Sequence, residues 1–474
     1  MKQFKRIFTF ILALFLVSGF MSISSFADET QTESSDFVPV IRFVASSDTH
    51  VKDIDNMTAE RIGKMLNMAY GMAEDDENYK KLDAVLIAGD LTNDGTKTEF
   101  DKFSKAVKDS LRGDTKFLGV VAKNHDGYKM SRTELRDYYK KDTGNDADFN
   151  VVINGYHFIG LSASPNDIEH YDRTQLKWLN EQLDKATAED PDRPVFVMHH
   201  EHNRDTVYGS SSFDGWGVTY FNDTLKNYPQ VVDFSGHSHY PLNDPRSIWQ
   251  GEYTALGTGA IYYSEFTIDK TRTYHPDDSE QTATCWIVEL DAANRMRLRG
   301  MDILAEKCLC EYILENPAKT ENREYTPEKR KAASTAPEFE KGTEIETTPV
   351  PGGFNIKVPA AKSTDGMPVV LYRAKVKNSI GITVADTWTL PKYYIATEQD
   401  EIEIDVYGLK KGDYTVTVVA ETAYGIDSDA LEARVTVTDE GCPYCHEPHE
   451  GFAGFFTLIY HYVAYFFAHL FGKM

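Results

Sequence analysis

Short apolar runs alternate with polar loops and helical stretches over residues 38–315. Five runs are bounded by Gly, Asp, Asn or His and predict buried strands: Val40–Ala45, Ala84–Ala88, Phe117–Ala122, Val195–Met198 and Val231–Phe234. Between them, Thr58–Met72 and Thr174–Ala186 are predicted as helices. Asp172 and Gln175 predict a capping box at the start of the second helix. Strands that alternate with helices predict an α/β domain.

The pattern changes after residues 316–341, which are rich in Glu, Lys, Thr, Pro and Ala and predict a linker. Beyond it, short runs of alternating polarity are separated by turns: Phe354–Val358, Val369–Val376, Ile402–Val406, Tyr414–Ala420 and Ala433–Val437. They predict an all-β sandwich over residues 342–440. Because Tyr407–Ser428 resembles the later strands of fibronectin type III domains, an immunoglobulin/fibronectin-like sandwich is expected.

The amino terminus has the pattern of a secretory signal peptide. A basic start is followed by the apolar run Ile7–Phe20 and by small residues up to Ala27. Residues 1–27 are therefore predicted to be cleaved, with an uncleaved anchor as the alternative, and the polar residues 28–37 are predicted to be a disordered lead-in. We expect a secreted or extracellular protein, with contact to the membrane or cell surface through its other end.

That other end, residues 441–474, combines a Cys/His motif with an apolar tail. A zinc knuckle, a local disulfide or plain thiols are all compatible with its Cys442, Cys445, His446 and His449. Phe452–Phe471 carries no formal charge and, as a helix, would be about 30 Å long. A helix that spans a membrane, one that lies on its surface and one that is buried in protein all remain open.

The charge balance of the chain bears on which partners it binds. The chain has 50 Lys and Arg against 74 Asp and Glu, which gives a net charge of −24. Because nucleic-acid binding needs clustered cations, no specific nucleic-acid partner is expected.

Five cysteines are too few for a disulfide scaffold of this length. Cys308 and Cys310 lie two residues apart on a predicted strand, and a bond between them is not expected, which leaves Cys285 as a candidate partner for one.

Polar groups follow all five predicted strands of the α/β domain. Candidate metal ligands at these ends are Asp48, His50, Asp90, Asn124, His199, His237 and His239. A single Asp or His in such a place is usually a turn or surface residue, but clusters at five successive strand ends are not explained by packing. Imidazole, carboxylate and amide ligands without thiolate suit Mn, Zn or Fe.

The ordered motifs D-x-H, G-D-x-x-N, N-H-D, H-H and G-H-x-H resemble those of the calcineurin-like metallophosphoesterase superfamily. The resemblance covers the whole α/β domain and implies two packed mixed β-sheets flanked by helices, with two divalent ions at one edge. It assigns the first ion to Asp48, His50, Asp90 and His239. It assigns the second to Asp90, Asn124, His199 and His237, so that Asp90 bridges the ions.

The expected activity is hydrolysis of phosphate mono- or diesters by a hydroxide that two metal ions activate. Two cations about 3.5–4 Å apart need a shared carboxylate between them, which agrees with a bridging Asp90. His125 is expected beside the leaving oxygen as a proton donor, with Asp126 as a candidate to orient it. The alternative is a non-catalytic surface or carbohydrate-binding protein that uses the sandwich.

Two positions blur the motif. Lys123 stands where the family usually has Gly, so the turn must form without the flexibility of glycine, and the additional cation is a candidate to meet substrate phosphate. In the doublet His199-His200, adjacent side chains of an extended segment point to opposite sides, so one of them is the ligand. We favour His199 and keep His200 as the alternative.

Overall fold

The computed structural model describes residues 37–166, 170–268 and 272–438. The predicted signal peptide and the predicted Cys/His motif with its tail lie outside these ranges. Within them, no helix combines the length and the apolar character that crossing a membrane requires.

Two six-stranded sheets form the centre of the α/β part, and strands are numbered along the chain. The first sheet contains β1 (Pro39–Ser46), β2 (Ala84–Ala88), β3 (Lys116–Val120), β14 (Thr284–Asp291), β15 (Met296–Asp302) and β16 (Lys307–Leu314), in the order β16-β15-β14-β1-β2-β3. The second contains β4 (Phe149–Ile153), β5 (Tyr156–Gly160), β6 (Val195–Met198), β9 (Val231–Ser235), β10 (Ile248–Gln250) and β11 (Thr254–Gly257), in the order β10-β11-β9-β6-β5-β4. Two short pairs complete this part, β7 (His202–Asn203) with β8 (Gly217–Val218) and β12 (Phe266–Ile268) with β13 (Arg272–Tyr274).

The strands that carry the candidate ligands run parallel. β1, β2 and β3 are parallel neighbours in the first sheet, as are β6 and β9 in the second. The two sheets face each other across a core of aromatic rings, in which Phe43 contacts Phe158, Phe196 and Phe234 with ring centroids 4.8–5.8 Å apart. This packing brings the carboxyl ends of the five strands to one edge of the domain.

Helices cover the outer faces of the sheets. Their bounds are α1 (Met57–Asp75), α2 (Lys97–Ser110), α3 (Arg132–Thr143), α4 (Arg173–Glu189) and the short α5 (Asn222–Leu225). The first three pack on the first sheet and α4 on the second. The predicted capping box is confirmed, because Asp172 accepts from the backbone of Gln175 and the Gln175 side chain accepts from the backbone of Asp172.

The C-terminal part is a sandwich of two antiparallel sheets. One contains β17 (Glu346–Val350), β18 (Gly353–Pro359) and β21 (Glu401–Val406), and the other contains β20 (Thr383–Thr389), β19 (Val369–Asn378), β22 (Gly412–Thr422) and β23 (Leu431–Val437). Their inward-facing apolar residues form one core. The predicted fold class, two packed mixed β-sheets flanked by helices and followed by an all-β part, is confirmed, while the likeness to fibronectin type III domains stays a prediction.

The sandwich packs against the α/β part near the beginning of β19. There Val370 and Leu371 share a buried cluster with Phe266 and Tyr394. The Tyr394 hydroxyl donates a hydrogen bond of 2.6 Å to Asp278 Oδ1. Apolar packing and hydrogen bonding thus join the two parts.

The predicted linker at residues 316–341 has structure of its own. It contains helix α6 (Pro327–Ala333), and Thr326 caps that helix. The Arg323 guanidinium donates to the carbonyl oxygens of Pro229 and Gly251. These contacts anchor the linker on the α/β part, although its composition predicted a plain spacer.

The cysteines of the described part are unbonded. Cys285 is buried, Cys308 is exposed and Cys310 is half-buried, all as free thiols. Cys285, the candidate partner that the sequence left open, is not bonded to Cys308 or Cys310.

Candidate metal centre

The structure brings the polar strand ends together at the shared edge of the two sheets. Three groups of side chains each have ligand atoms within 4.8 Å of one another: Asp48 with His50 and His239, His50 with Asp90 and His125, and Asp90 with His200 and His237. Asp90 and His50 each belong to two groups. The side chains therefore surround two adjacent points rather than one.

The first point lies between the ends of β1 and β9. His239 Nε2 is 3.1 Å from Asp48 Oδ1 and 3.1 Å from His50 Nε2, and His50 Nε2 is 3.7 Å from Asp90 Oδ2. His239 Nδ1 lies 3.2 Å from the carbonyl oxygen of Tyr263 and donates to it. That bond fixes the tautomer, so that the lone pair of Nε2 points into the cluster.

The second point lies between the ends of β2, β3, β6 and β9. His200 Nε2 is 3.2 Å from Asp90 Oδ2 and 3.1 Å from His237 Nδ1. Asn124 joins them, with its amide nitrogen 2.9 Å from Asp90 Oδ2. His200 Nδ1 donates to the Ala88 carbonyl at 2.8 Å, which leaves its Nε2 as an acceptor that faces the cluster.

His200, not the favoured His199, faces this centre. His199 points to the other side of the sheet, where its Nε2 lies 2.9 Å from Asp233 Oδ1 and its ring packs on Phe221 with centroids 4.3 Å apart. Gly89 makes room for the His200 ring, since a Cβ at Gly89 would stand 2.6 Å from His200 Nδ1. Asp233 accounts for this orientation, because its buried carboxylate contacts His199 on the side of the sheet away from the cluster.

His125 lies beside the ligand cluster, and Asp126, the residue suggested to orient it, hydrogen-bonds elsewhere. The Asn93 carbonyl accepts from His125 Nδ1 at 2.7 Å, and the His125 ring is 4.4 Å from that of His50. Asp126 instead accepts from the backbone and hydroxyl of Thr92 and from the backbone of Ala122. Burial, with a contribution from the negative charge of Asp90, raises the pKa of Asp126 to about 7. Asp126 therefore holds two loops together beneath the site.

The backbone at several candidate metal ligands has an unusual conformation. Five candidate ligands have left-handed φ angles: Asp48 at 53°, His50 at 42°, Asp90 at 49°, His237 at 72° and His239 at 56°. Residues other than glycine avoid this region, although Asp and His tolerate it better than most. Such strained conformations concentrate at functional sites, where the surrounding structure maintains them.

The glycine of the G-H-x-H motif has a steric role. A Cβ at Gly236 would collide with the side chains of Ser47 and Asp48. The close approach lets the backbone N–H of His237 donate to Asp48 Oδ2 at 2.9 Å. This hydrogen bond leaves the other oxygen of Asp48 directed at the cluster.

The charges of the centre suit a cation. Burial raises the pKa of the Asp48 carboxyl, but His239 and His50 outweigh burial and hold that pKa well below its usual value. The pKa of Asp90 is also lowered, since His200 outweighs the effect of burial. Burial and the neighbouring His200 lower the pKa of His237 to about 4, which keeps that imidazole neutral. Burial acts to lower the pKa of His239 and of His200, but Asp48 and Asp90 outweigh burial and raise these two pKa values. A divalent ion that binds this donor set would therefore displace protons from these imidazoles.

Unsatisfied atoms support the same conclusion. Among the described residues no hydrogen-bond partner exists for four buried atoms of this centre: Asp48 Oδ1, His50 Nδ1, Asp90 Oδ1 and Asn124 Oδ1. A buried carboxylate oxygen without a partner is costly unless a cation or a proton compensates it. The residues present therefore fit divalent ions, and their nitrogen and oxygen donors match Mn, Zn or Fe.

Aromatic side chains surround the centre. Tyr263 lies 4.1 Å from the His239 ring and Tyr262 lies 5.5 Å from the His50 ring, measured between centroids. Trp216, from the loop between β7 and β8, packs edge-on to His237 with ring centroids 5.0 Å apart. The sequence analysis did not single out the tyrosines, although the doublet follows a strand end in the same way as the ligands do.

The family model of calcineurin-like phosphoesterases matches residues 41–241. The match supports a calcineurin-like phosphoesterase domain in this part of the chain. It includes every candidate ligand, and the general activity that it supports is hydrolysis of phosphate esters.

Individual proteins are similar over parts of the chain. A probable glycerophosphodiester phosphodiesterase, GpdQ of Arcobacter nitrofigilis, is 28% identical over 204 residues, which cover 41% of this chain and 71% of that protein. The purple acid phosphatase PPD1 of yellow lupin aligns at 11% identity and a TM-score of 0.40, covering 58% of this chain and 53% of that one. The phosphopantetheinyl hydrolase PptH of Mycobacterium tuberculosis aligns at 14% identity and a TM-score of 0.27, covering 46% of this chain and 89% of that one.

Proposed function

We propose that the protein is a secreted, metal-dependent phosphoesterase with two divalent ions. One observation carries the proposal: buried ligand side chains from five strand ends converge on two adjacent points that share Asp90. A shared carboxylate is what two neighbouring cations require, because it reduces their mutual repulsion.

The contacts divide the ligands between the two positions. The first ion is assigned to Asp48, His50, Asp90 and His239, and the second to Asp90, Asn124, His200 and His237. His200 replaces His199 in this set. When bound, the ions would polarise the phosphoryl oxygens and lower the pKa of a water molecule.

Protonation of the leaving oxygen is assigned to His125. Its Nδ1 is held by the Asn93 carbonyl, which directs Nε2 away from that carbonyl. In the imidazolium form, Nε2 donates a proton to the leaving oxygen as the P–O bond breaks, and the alcohol departs neutral. The Asn93 carbonyl positions the ring for this transfer.

The substrate is proposed to be a small phosphodiester. The relative in Arcobacter nitrofigilis has the name of a probable glycerophosphodiester phosphodiesterase, which favours a diester over a monoester. Tyr262, Tyr263 and Trp216 offer apolar faces beside the metal positions, and these faces suit the alcohol groups of an ester rather than its charged phosphate.

The test is an assay of the purified protein after dialysis against a chelator. We expect hydrolysis of bis(p-nitrophenyl) phosphate to return with Mn, Zn or Fe(II), at a higher rate than for p-nitrophenyl phosphate. Asp90→Asn should reduce turnover by about 100-fold or more, because it removes the shared carboxylate. Asp94→Asn, at an exposed residue of the same loop, is the matched control and should keep wild-type activity.

Absence of turnover with all three metals, or equal turnover in Asp90→Asn and wild type, would reject the proposal. The chain would then have to be considered as a binding protein that uses its sandwich.

A further inference from the structure

The hairpin between β19 and β20 has an apolar tip. Ile380 is 77% exposed, Ile382 is 56% exposed and Val384 is 45% exposed. The turn is ordered, since Asn378 Oδ1 accepts from the backbone N–H groups of Ile380 and Ile382 at 3.2 and 2.9 Å. Gly381 has a left-handed φ of 83° within it. The tip is thus a fixed apolar projection rather than a scatter of surface residues.

Strand register places this tip where the described chain ends. Asn378 of β19 is paired with Tyr414 of β22, and Gly412 at the start of β22 is paired with Val437 of β23. The hairpin tip and the end of β23 therefore lie at the same end of the sheet. The sequence continues from there to Phe452–Phe471, which has no formal charge.

The same end carries exposed lysines. Lys377 precedes the hairpin turn, and Lys410 and Lys411 lie in the loop before β22. Asp413, at the start of β22, accepts a hydrogen bond from Thr436. In a chain with a net charge of −24, a group of exposed lysines around apolar residues differs from the average surface.

This end points away from the phosphoesterase domain. The contacts with that domain are made by Val370 and Leu371, at the beginning of β19, whereas Ile380 follows the end of the strand. Eight residues of β19 separate Val370 from Asn378, where the turn of the tip begins, a distance of about 26 Å. The tip can therefore contact a large surface without a clash with the α/β part.

We propose that this distal end of the sandwich, defined by Ile380, Ile382, Val384, Lys377, Lys410 and Lys411, docks on an anionic lipid bilayer. The isoleucines enter the interface between headgroups and acyl chains, and the lysines contact the phosphates of the headgroups. Apolar insertion and charge act together, which agrees with the need of peripheral proteins for more than one membrane contact.

The first measurement follows the position of the tip. In the full chain, Ile380→Trp is mixed with vesicles of phosphatidylcholine and phosphatidylglycerol in a ratio of 3:1, with and without brominated acyl chains. We expect bromolipid to quench the emission of the added tryptophan well beyond the quenching seen in wild type. Equal quenching in the two proteins would overturn the proposal, whatever else holds the chain on the vesicles.

The second measurement follows affinity by vesicle flotation. The double variant Ile380→Ser/Ile382→Ser should bind about tenfold more weakly than wild type, because it removes most of the apolar surface of the tip. The matched control is Ile54→Ser/Val152→Ser, at residues that are 90% and 52% exposed on the α/β part, and it should bind as wild type does.

Both results are required. Wild-type protein that fails to float with the vesicles, a tip variant within twofold of wild type, or an equal loss in the control would each overturn the proposal. So would a tip that instead mediates association of the chain with itself, visible as a wild-type oligomer that the double variant dissociates in the absence of lipid.

Discussion

Two adjacent histidines of the same type have different surroundings in this protein. His200 faces the ligand cluster, where its Nε2 lies 3.2 Å from Asp90 Oδ2, and His199 faces a buried carboxylate, with its Nε2 2.9 Å from Asp233 Oδ1. Each ring is buried, so exposure does not distinguish them. The difference is that one carboxylate belongs to the metal centre and the other to the packing of the second sheet.

Substitution of each histidine should separate these roles. We expect His200→Ala to lose about one of two bound ions and to reduce turnover by about 100-fold or more, since it removes a proposed ligand. We expect His199→Ala to keep both ions and to lose about 1–3 kcal/mol of unfolding free energy, because Asp233 loses a buried partner. Metal content by mass spectrometry and urea unfolding are the measurements. Loss of an ion only in His199→Ala would restore the assignment first favoured from the sequence.

A second prediction concerns Gly236. Gly236→Ala places a methyl group against Asp48 and Ser47, so we expect weaker metal binding and a loss of activity of about 100-fold, in line with a small misplacement of catalytic groups. Gly71→Ala is the control: it lies in α1, where a Cβ meets nothing within 4 Å, and should stabilise the fold by up to about 1 kcal/mol. Isothermal titration with Mn²⁺ checks both variants. Equal affinity in Gly236→Ala and wild type would contradict the steric role.

Among individual residues, six of the proposed ligands could be predicted from the sequence, because their order and their position at strand ends form a pattern that packing does not produce. The sequence could not choose within the histidine doublet, since alternation places the two side chains on opposite faces without saying which face holds the site. It also assigned Asp126 to His125, because neighbours in sequence are not necessarily neighbours in space. The hydrogen bonds of Asp126 to Thr92 and Ala122 need the fold.

Among the elements, β1 and β14 are joined by a buried ion pair as well as by the sheet. Arg42 Nε lies 2.6 Å from Glu289 Oε1, and both side chains are fully buried. Arg297 and Arg299 of β15 contact the other oxygen of Glu289 at 2.6 and 3.0 Å. Burial acts to raise the pKa of Glu289, but the three guanidinium groups outweigh burial and lower it.

This pair gives a stability prediction. Arg42→Met should lower the unfolding free energy at pH 7 by about 3–5 kcal/mol, because it leaves a buried carboxylate with fewer partners. Lys105→Met is the control, since Lys105 pairs with Asp109 on an exposed helix face and should change stability by less than about 0.5 kcal/mol. Urea unfolding measures both. An equally small effect in Arg42→Met would show that the network contributes little.

The same group predicts a dependence on pH. A carboxyl whose pKa is lower in the folded state stabilises the fold above its unfolded pKa, which is about 4.3 for Glu. This stabilisation is lost as the pH falls through the lower, folded-state value. We therefore expect Glu289→Gln to reduce the loss of stability between pH 5 and more acidic solutions, which urea unfolding across that range would show. An acid profile identical to that of wild type would contradict the assignment.

Helices and strands could be predicted most accurately where every residue of the element is buried. The strands Ala84–Ala88 and Val195–Met198 have the predicted bounds, because each is a continuous apolar run between breakers. The linker was predicted less well, since composition does not show that Arg323 hydrogen-bonds to loop carbonyls of the second sheet. A polar segment can be ordered by contacts that its own sequence does not encode.

On the scale of the whole molecule, the sandwich and the α/β part share a specific contact. The Phe266 and Tyr394 rings lie 5.0 Å apart, the Ala396 N–H donates to Asp302 Oδ2 at 3.0 Å, and Lys392 Nζ lies 2.8 Å from Asp278 Oδ2. The order of the two parts could be predicted from the change in hydrophobic period, but their contact could not, because it depends on loops such as the one that carries Tyr394.

The contact predicts coupled unfolding. We expect one calorimetric transition for the wild-type protein and two for Tyr394→Ala, which loses both the aromatic packing and the hydrogen bond to Asp278. Val384→Ala, at an exposed residue of the same sandwich, is the control and should keep a single transition. Two transitions already present in wild type would show that the parts unfold independently.

The left-handed backbone at the five ligands also affects how long the protein survives. Each such residue costs on the order of 1 kcal/mol, so without a bound ion the fold maintains these loops against their local backbone preference. An ion that binds only the folded state increases the unfolding free energy by about 2.7 kcal/mol when its concentration is about a hundredfold above its dissociation constant. The supply of free metal would then govern how long the folded chain survives a protease, and a chelator would act as a destabilising agent before it acted as an inhibitor.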